Sequence, residues 1–91
     1  MKLQHTKFLA SDGENGWYTL QEDNELIKFE RSLNSLVIES GETALQIVIN
    51  DRDEIWHIDQ GNKEGVEAIR IDSIRVLNGT GTKIRWKALG Y

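Results

Sequence analysis

The sequence predicts an all-β protein: a single antiparallel β-sandwich, jelly-roll-like, of about eight short strands. Three observations predict it. Clusters of Gly, Asn, Asp and Ser recur along the chain at the spacing of about 8 to 12 residues that such folds require. The segments between them are rich in β-branched and aromatic residues. Several of those segments alternate apolar and polar residues with period two. The 91 residues form one domain, 1–91, in which 1–16 is a candidate N-terminal arm. For a chain of this size folding hides a little over ~60% of the unfolded surface, enough for a thin sandwich and too little for a deep catalytic cleft.

The expected strands lie near Leu3–Leu9, Trp17–Glu22, Glu25–Phe29, Ser35–Glu39, Ala44–Asn50, Glu54–Asp59, Glu67–Asp72, Ser73–Leu77 and Lys83–Leu89. Leu45, Ile47 and Ile49 share one face, Trp56 and Ile58 bracket His57, and Ile84, Trp86 and Ala88 alternate with Lys83, Arg85 and Lys87. The same-face members Ile47, Ile49, Trp56, Ile58, Ile74, Val76, Ile84 and Trp86 are the expected core. Leu26, Phe29, Leu33 and Leu36 also fit a helical spacing, so a short helix between Glu25 and Leu33 stays open. Ile69 and Ile71 can face the core together with Ile74 and Val76 only if a residue is inserted near Asp72-Ser73, which predicts a bend between two sheets. Opposing Val76 to Ile84 and Ile74 to Trp86 then makes Gly79-Thr80-Gly81 a three-residue hairpin loop, with Gly81 supplying left-handed dihedrals.

That hairpin register sets Arg75 opposite Arg85 on the outer face, together with Arg70, Lys83 and Lys87. Opposed like charges destabilise a ladder, so these five are the candidate partner-binding residues, with an acidic surface as their complement. The rest of the chain carries the opposite sign. Met1 to Val66 holds 13 acids against 6 bases, and Glu67 to Tyr91 holds 2 against 5, which together give the net −4. With pI ≈ 5.1, nucleic acid is not an expected partner. Trp17 and Tyr18, after the Gly-rich Ser11–Gly16 segment, are candidate ligand or receptor contacts, because exposed rings on a small sandwich can stack on sugars; core packing is their competing role.

Catalytic chemistry has little to draw on. Zero Cys excludes a disulfide framework, a thiolate metal cluster and a thiol nucleophile. His5 and His57 lack a carboxylate and nucleophile at motif spacing, and Asp51-Arg52-Asp53 lacks the Gly and the terminal Glu of a calcium loop. Gly79-Thr80-Gly81 is not followed by a helix as a phosphate loop would be. The expectation is no enzyme, no metal and no cofactor. No apolar run reaches the roughly 18 residues of a membrane span, and Met1–Lys7 lacks a signal-peptide core, so the expected chain is soluble and matures inside the cell that makes it.

From Glu25 to Tyr91 the sequence resembles the small jelly-roll-like virion proteins of tailed bacteriophages: capsid decoration, head-fibre and tail-adaptor domains. Two pieces carry the likeness. One is the pair of apolar segments around a short polar loop, Ser35 to Asn50. The other is the ending Ile71 to Tyr91, a strand, a Gly/Thr turn and a basic-aromatic strand. The resemblance implies a non-enzymatic virion structural protein, assembled in the bacterial host cytoplasm, that contacts itself as a homo-oligomer, with a trimer favoured, and contacts other virion proteins. The alternative on the same architecture is a carbohydrate-binding module.

Overall fold

The computed structural model describes residues 6–7 and 10–90. They form strands β1 (Thr6–Lys7), β2 (Tyr18–Thr19), β3 (Leu26–Ser40), β4 (Leu45–Ile49), β5 (Ile55–Ile58), β6 (Lys63–Val76) and β7 (Lys83–Gly90), with no helix among the described residues. The fold is the expected all-β sandwich-like class. The Glu25–Leu33 alternative resolves as strand, with Glu25, Ile27, Phe29 and Leu33 turned inward at even spacing. The expected strand over Leu3–Leu9 lies mostly outside the described residues; its Thr6–Lys7 pairs parallel with Lys28 and Phe29 of β3.

The sheet order is β2-β7-β3-β6-β4-β5, with β1 also beside β3. Two strands are long, and this is where the structure departs from a set of short ones. Glu25–Phe29 and Ser35–Glu39 are parts of a single β3 of 15 residues, and Glu67–Asp72 and Ser73–Leu77 belong to a single β6 of 14. Each runs through both halves of the sheet. In the first half, Leu26–Lys28 pairs with Ser73–Arg75, which pairs with β4, which pairs with the edge strand β5. In the second, Lys63–Glu67 pairs with Ser35–Glu39, which pairs with β7, which pairs with β2. One apolar cluster draws on both halves, joining Ile27, Ile47, Ile74 and Val76 to Leu36, Ile38, Val66, Ile84 and Trp86, so the sheet folds back over its own core.

The bend falls where the sequence places it. Lys28 opposes Ser73, Leu33 opposes Ile71 and Ser35 opposes Glu67, so each strand carries extra residues at the turn of the sheet. Ile71 and Ile74 are both fully buried across it. Inserted residues leave ladder groups unpaired, and buried unpaired backbone is expensive. Asn50 supplies the partners: its Nδ2 donates to the Arg70 carbonyl at 2.8 Å, and its Oδ1 accepts from Asp72 N at 2.7 Å and Ser73 N at 3.1 Å. Asn50 can reach them because it stands in the left-handed region, φ 54, in the turn that closes β4 onto β5, and Asn tolerates that region at little cost.

The terminal hairpin is corrected. β7 is not beside β6. Val76 opposes Ile47, whereas Ile84 opposes Ser40 and Tyr18, and Trp86 opposes Ile38. The connection arches from one half of the sheet to the other: Leu77 N–H donates to the Gln46 carbonyl at 2.8 Å, and Gly81 N–H donates to the Leu20 carbonyl at 3.0 Å. Asp23 holds the arch by accepting from Thr80 N at 2.8 Å and Thr80 Oγ1 at 3.0 Å. Gly81 does adopt the left-handed conformation, φ +92, but in an arch. Alternation shows that two successive strands face one core; it does not distinguish neighbours in one layer from strands in facing layers.

Candidate functional site

Because Ile84 and Trp86 point inward, Lys83, Arg85 and Lys87 project from the outer face of β7. Arg85 is engaged within the chain. Its Nε and Nη2 donate to Glu39 Oε1 at 3.0 and 2.8 Å from the directly opposed position on β3, and its guanidinium lies 4.5 Å over the Trp17 ring. Lys83 and Lys87 are exposed and make no ion pair among the described residues. Lys63 flanks Glu39 from the other side, opposing it on β6. Between these cations lies a shallow basin of ≈ 600 Å³ lined by Val37, Glu39, Lys63, Arg85 and Lys87.

Arg70 and Arg75 are not part of that face. Arg75 opposes Val48 and Leu26 in the other half of the sheet and forms a fork on Asp51, Nε to Oδ1 at 2.8 Å and Nη2 to Oδ2 at 3.2 Å. The hydrogen bond from Arg75 holds the Asp51 carboxyl below its ordinary range. Arg70 Nε lies 3.1 Å from Asp72, whose carboxyl is held down first by the Ser32 hydroxyl and then by Arg70. The expected row of five cations with Arg75 facing Arg85 is therefore corrected: the assumed hairpin register does not exist, and all three arginines have acids of their own. Water and salt screen the pairs on Asp51 and Asp72, which therefore neutralise charge more than they stabilise the fold.

Trp17 and Tyr18 separate in role. Asn15 (φ 58) and Gly16 (φ 82) close a tight turn in which Trp17 N–H donates to the Glu14 carbonyl at 3.0 Å. Trp17 comes out half-buried, against Gly41 and beneath Arg85. Tyr18 is buried at 5% exposure, which removes it as a receptor contact. Its ring meets Trp86 edge-on at 5.7 Å, and its hydroxyl donates to Glu25 Oε2. Glu25 has no exposed surface and also accepts Gln21 N–H at 2.6 Å. Burial first, and Glu25 second, push the Tyr18 hydroxyl well above its ordinary value. The Tyr18–Glu25 pair was not expected from the sequence, yet Glu25 stands in phase with Ile27 and Phe29, and that spacing turns it inward.

The exposed His57 lies on the edge strand β5 beside Trp56, which is half-buried rather than wholly in the core. No group of three His, Asp or Glu that could hold a metal gathers among the described residues. No helix among them is long and apolar enough to cross a membrane. Compared with protein-family models, with curated proteins and with solved structures, the chain matches none.

Proposed function

We propose that this chain is a non-enzymatic structural subunit of a bacteriophage virion, a decoration, head-fibre or tail-associated component that assembles through contacts with its own copies and with other virion proteins. The observation that carries the assembly role is the outer face of β7. Lys83 and Lys87, with Lys63 across Glu39, stand exposed without an ion pair among the described residues on a chain of net −4. Exposed acids such as Asp53 and Glu54, at the start of β5, lie in the other half of the sheet, so one small molecule carries surfaces of opposite sign. Such surfaces meet head to tail, and a head-to-tail contact closes into a ring when each step is one third of a turn. The virion setting is supported by the sequence likeness of Ser35–Asn50 and Ile71–Tyr91. The second of these pieces forms an arch instead of a hairpin, so it supports the setting as sequence pattern alone.

Native mass measurement and sedimentation at low and high salt test the reading. The expected result is a trimer at low salt that salt weakens, and a monomer with an unchanged circular dichroism spectrum for the Lys83→Glu, Lys87→Glu double variant. A wild-type monomer under both conditions, or a double variant that still assembles, would overturn self-assembly through β7. Absence of the chain from purified particles would overturn the virion setting.

A further inference from the structure

Among the described residues, the two halves of the sheet expose unpaired edges on the same side of the molecule. β5 ends the first half, since β4 is its neighbour among the described strands, and Lys63–Glu67 of β6 ends the second, paired with β3 alone. Between them runs an open groove of ≈ 770 Å³, lined on one side by Arg52, Glu54 and Trp56 and on the other by Val66 and Glu67. Strand edges are commonly guarded by Lys, Pro or a bulge. The β6 edge carries Lys63, Glu64 and Glu67, but β5, Ile55-Trp56-His57-Ile58, has no such guard, and its Ile55 is 43% exposed.

Charge lies at the two ends of β5 instead. Asp53 and Glu54 precede it and Asp59 follows it, all exposed and without an ion pair among the described residues; the cations nearby are Arg52, Lys63 and Arg70, the last already paired with Asp72. This pattern disfavours two-fold pairing of β5 with the β5 of a second copy. The antiparallel two-fold register centred on Trp56 sets Asp53 of one copy against Asp59 of the other, a like-charge opposition at both ends of the ladder, and the equally long register centred on His57 sets Ile55 against Asp59. It suits a strand of opposite sign.

We propose that β5 is a docking edge for an extended segment of a different protein, apolar at its centre and carrying Lys or Arg toward each end, which adds to the sheet as a further strand. Main-chain hydrogen bonds to the β5 edge hold the segment, alternate side chains enter the groove over Trp56 and Val66, and the terminal cations meet Asp53, Glu54 and Asp59. The site lies on β5 rather than β7, and because Asp53 and Glu54 are also the acids offered to a neighbouring copy in the head-to-tail contact, the segment competes with that contact and is tested on the free chain.

The probe is the synthetic peptide Lys-Lys-Val-Thr-Val-Thr-Val-Lys-Lys, compared with the same peptide carrying Glu for every Lys. Titration followed by calorimetry, with amide exchange as the locator, should show saturable binding of the basic peptide and slowed exchange in β5 but not in β2. The acidic peptide should bind at least roughly tenfold more weakly. Ile55→Lys, at an exposed position that leaves folding intact, should weaken the basic peptide by about the same factor, and the Asp53→Lys, Asp59→Lys variant should reverse the order of the two peptides. The proposal is overturned if neither peptide binds, if both bind alike, if β5 exchange does not slow, or if Ile55→Lys binds as the wild type does.

Discussion

Trp86 and Trp56 stand on strands with the same alternating pattern, and both point toward the core, yet the regions around them differ. Trp86 is 2% exposed, set edge-on to Tyr18 and Phe29, on a strand with neighbours on both sides. Even the stretch of β7 beyond β2 is covered: Ser11 N–H donates to the Trp86 carbonyl at 3.0 Å, and Trp86 N–H donates to Ser11 Oγ at 3.0 Å. Trp56 sits on an edge strand at the mouth of the groove, half-buried, beside the exposed Ile55. Period-two alternation specifies which way a side chain points. How deeply it is buried depends on whether its strand is central or terminal in the sheet, and that is decided by pairing partners far away in sequence.

The largest expected effect follows directly. Trp86→Ala should destabilise by about 3–5 kcal/mol, the range for truncating a fully buried large aromatic, and Trp56→Ala by less than half of that. Urea denaturation of the two variants checks this, and equal losses would erase the contrast between the regions.

The closed region also holds the buried polar pair, whose effect should be smaller. Tyr18→Phe strips Glu25 of one donor inside the core and should cost about 1–3 kcal/mol. The pH dependence has a definite sign. The folded state raises the Tyr18 value, so above about pH 10 the unfolded chain loses the phenolic proton while the folded chain keeps it. The Tyr18 contribution is therefore complete below about pH 10 and falls as pH rises beyond it, and Tyr18→Phe should flatten the stability curve there. A wild-type stability that is level through that alkaline range would contradict the buried pair.

Asn50 serves the open region, where β6 turns from one half to the other. Asn50→Ala should cost about 1–2 kcal/mol through three lost hydrogen bonds on a partly exposed bend. Asn50→Gly keeps the left-handed turn and loses the same bonds, so comparable losses in thermal melts would assign the effect to the side chain, whereas a neutral Asn50→Gly would assign it to the turn.

Much of this fold was legible in the sequence because its signals are local. The turn clusters and alternation gave the all-β class, the inward set of Ile47, Ile49, Ile58, Ile74, Val76, Ile84 and Trp86 is buried, and the phase change at Asp72-Ser73 is a real bend. The errors came from what alternation leaves out. Val76 and Ile84 do share a core, but from facing layers, and reading them as cross-strand partners carried Arg75 next to Arg85 and Arg70 into the same row. Tyr18 beside a Gly-rich loop looked available, whereas its ring completes the aromatic contact with Trp86 and its hydroxyl satisfies a glutamate that only the phase of β3 could have betrayed. Lys83 and Lys87 kept their predicted outward position because β7 alternates without interruption.

Strand-resolved amide hydrogen exchange of the free chain measures the contrast between the two regions most directly. Amides of β7 and of Leu36–Ser40 in β3 should exchange slowest, near the rate set by global unfolding, while part of β5, with one edge unpaired, should exchange far faster through local opening or direct solvent contact. Uniformly slow exchange across β5, equal to that of β7, would contradict the account, because it would mean that the edge assigned here to a partner is already closed in the free molecule.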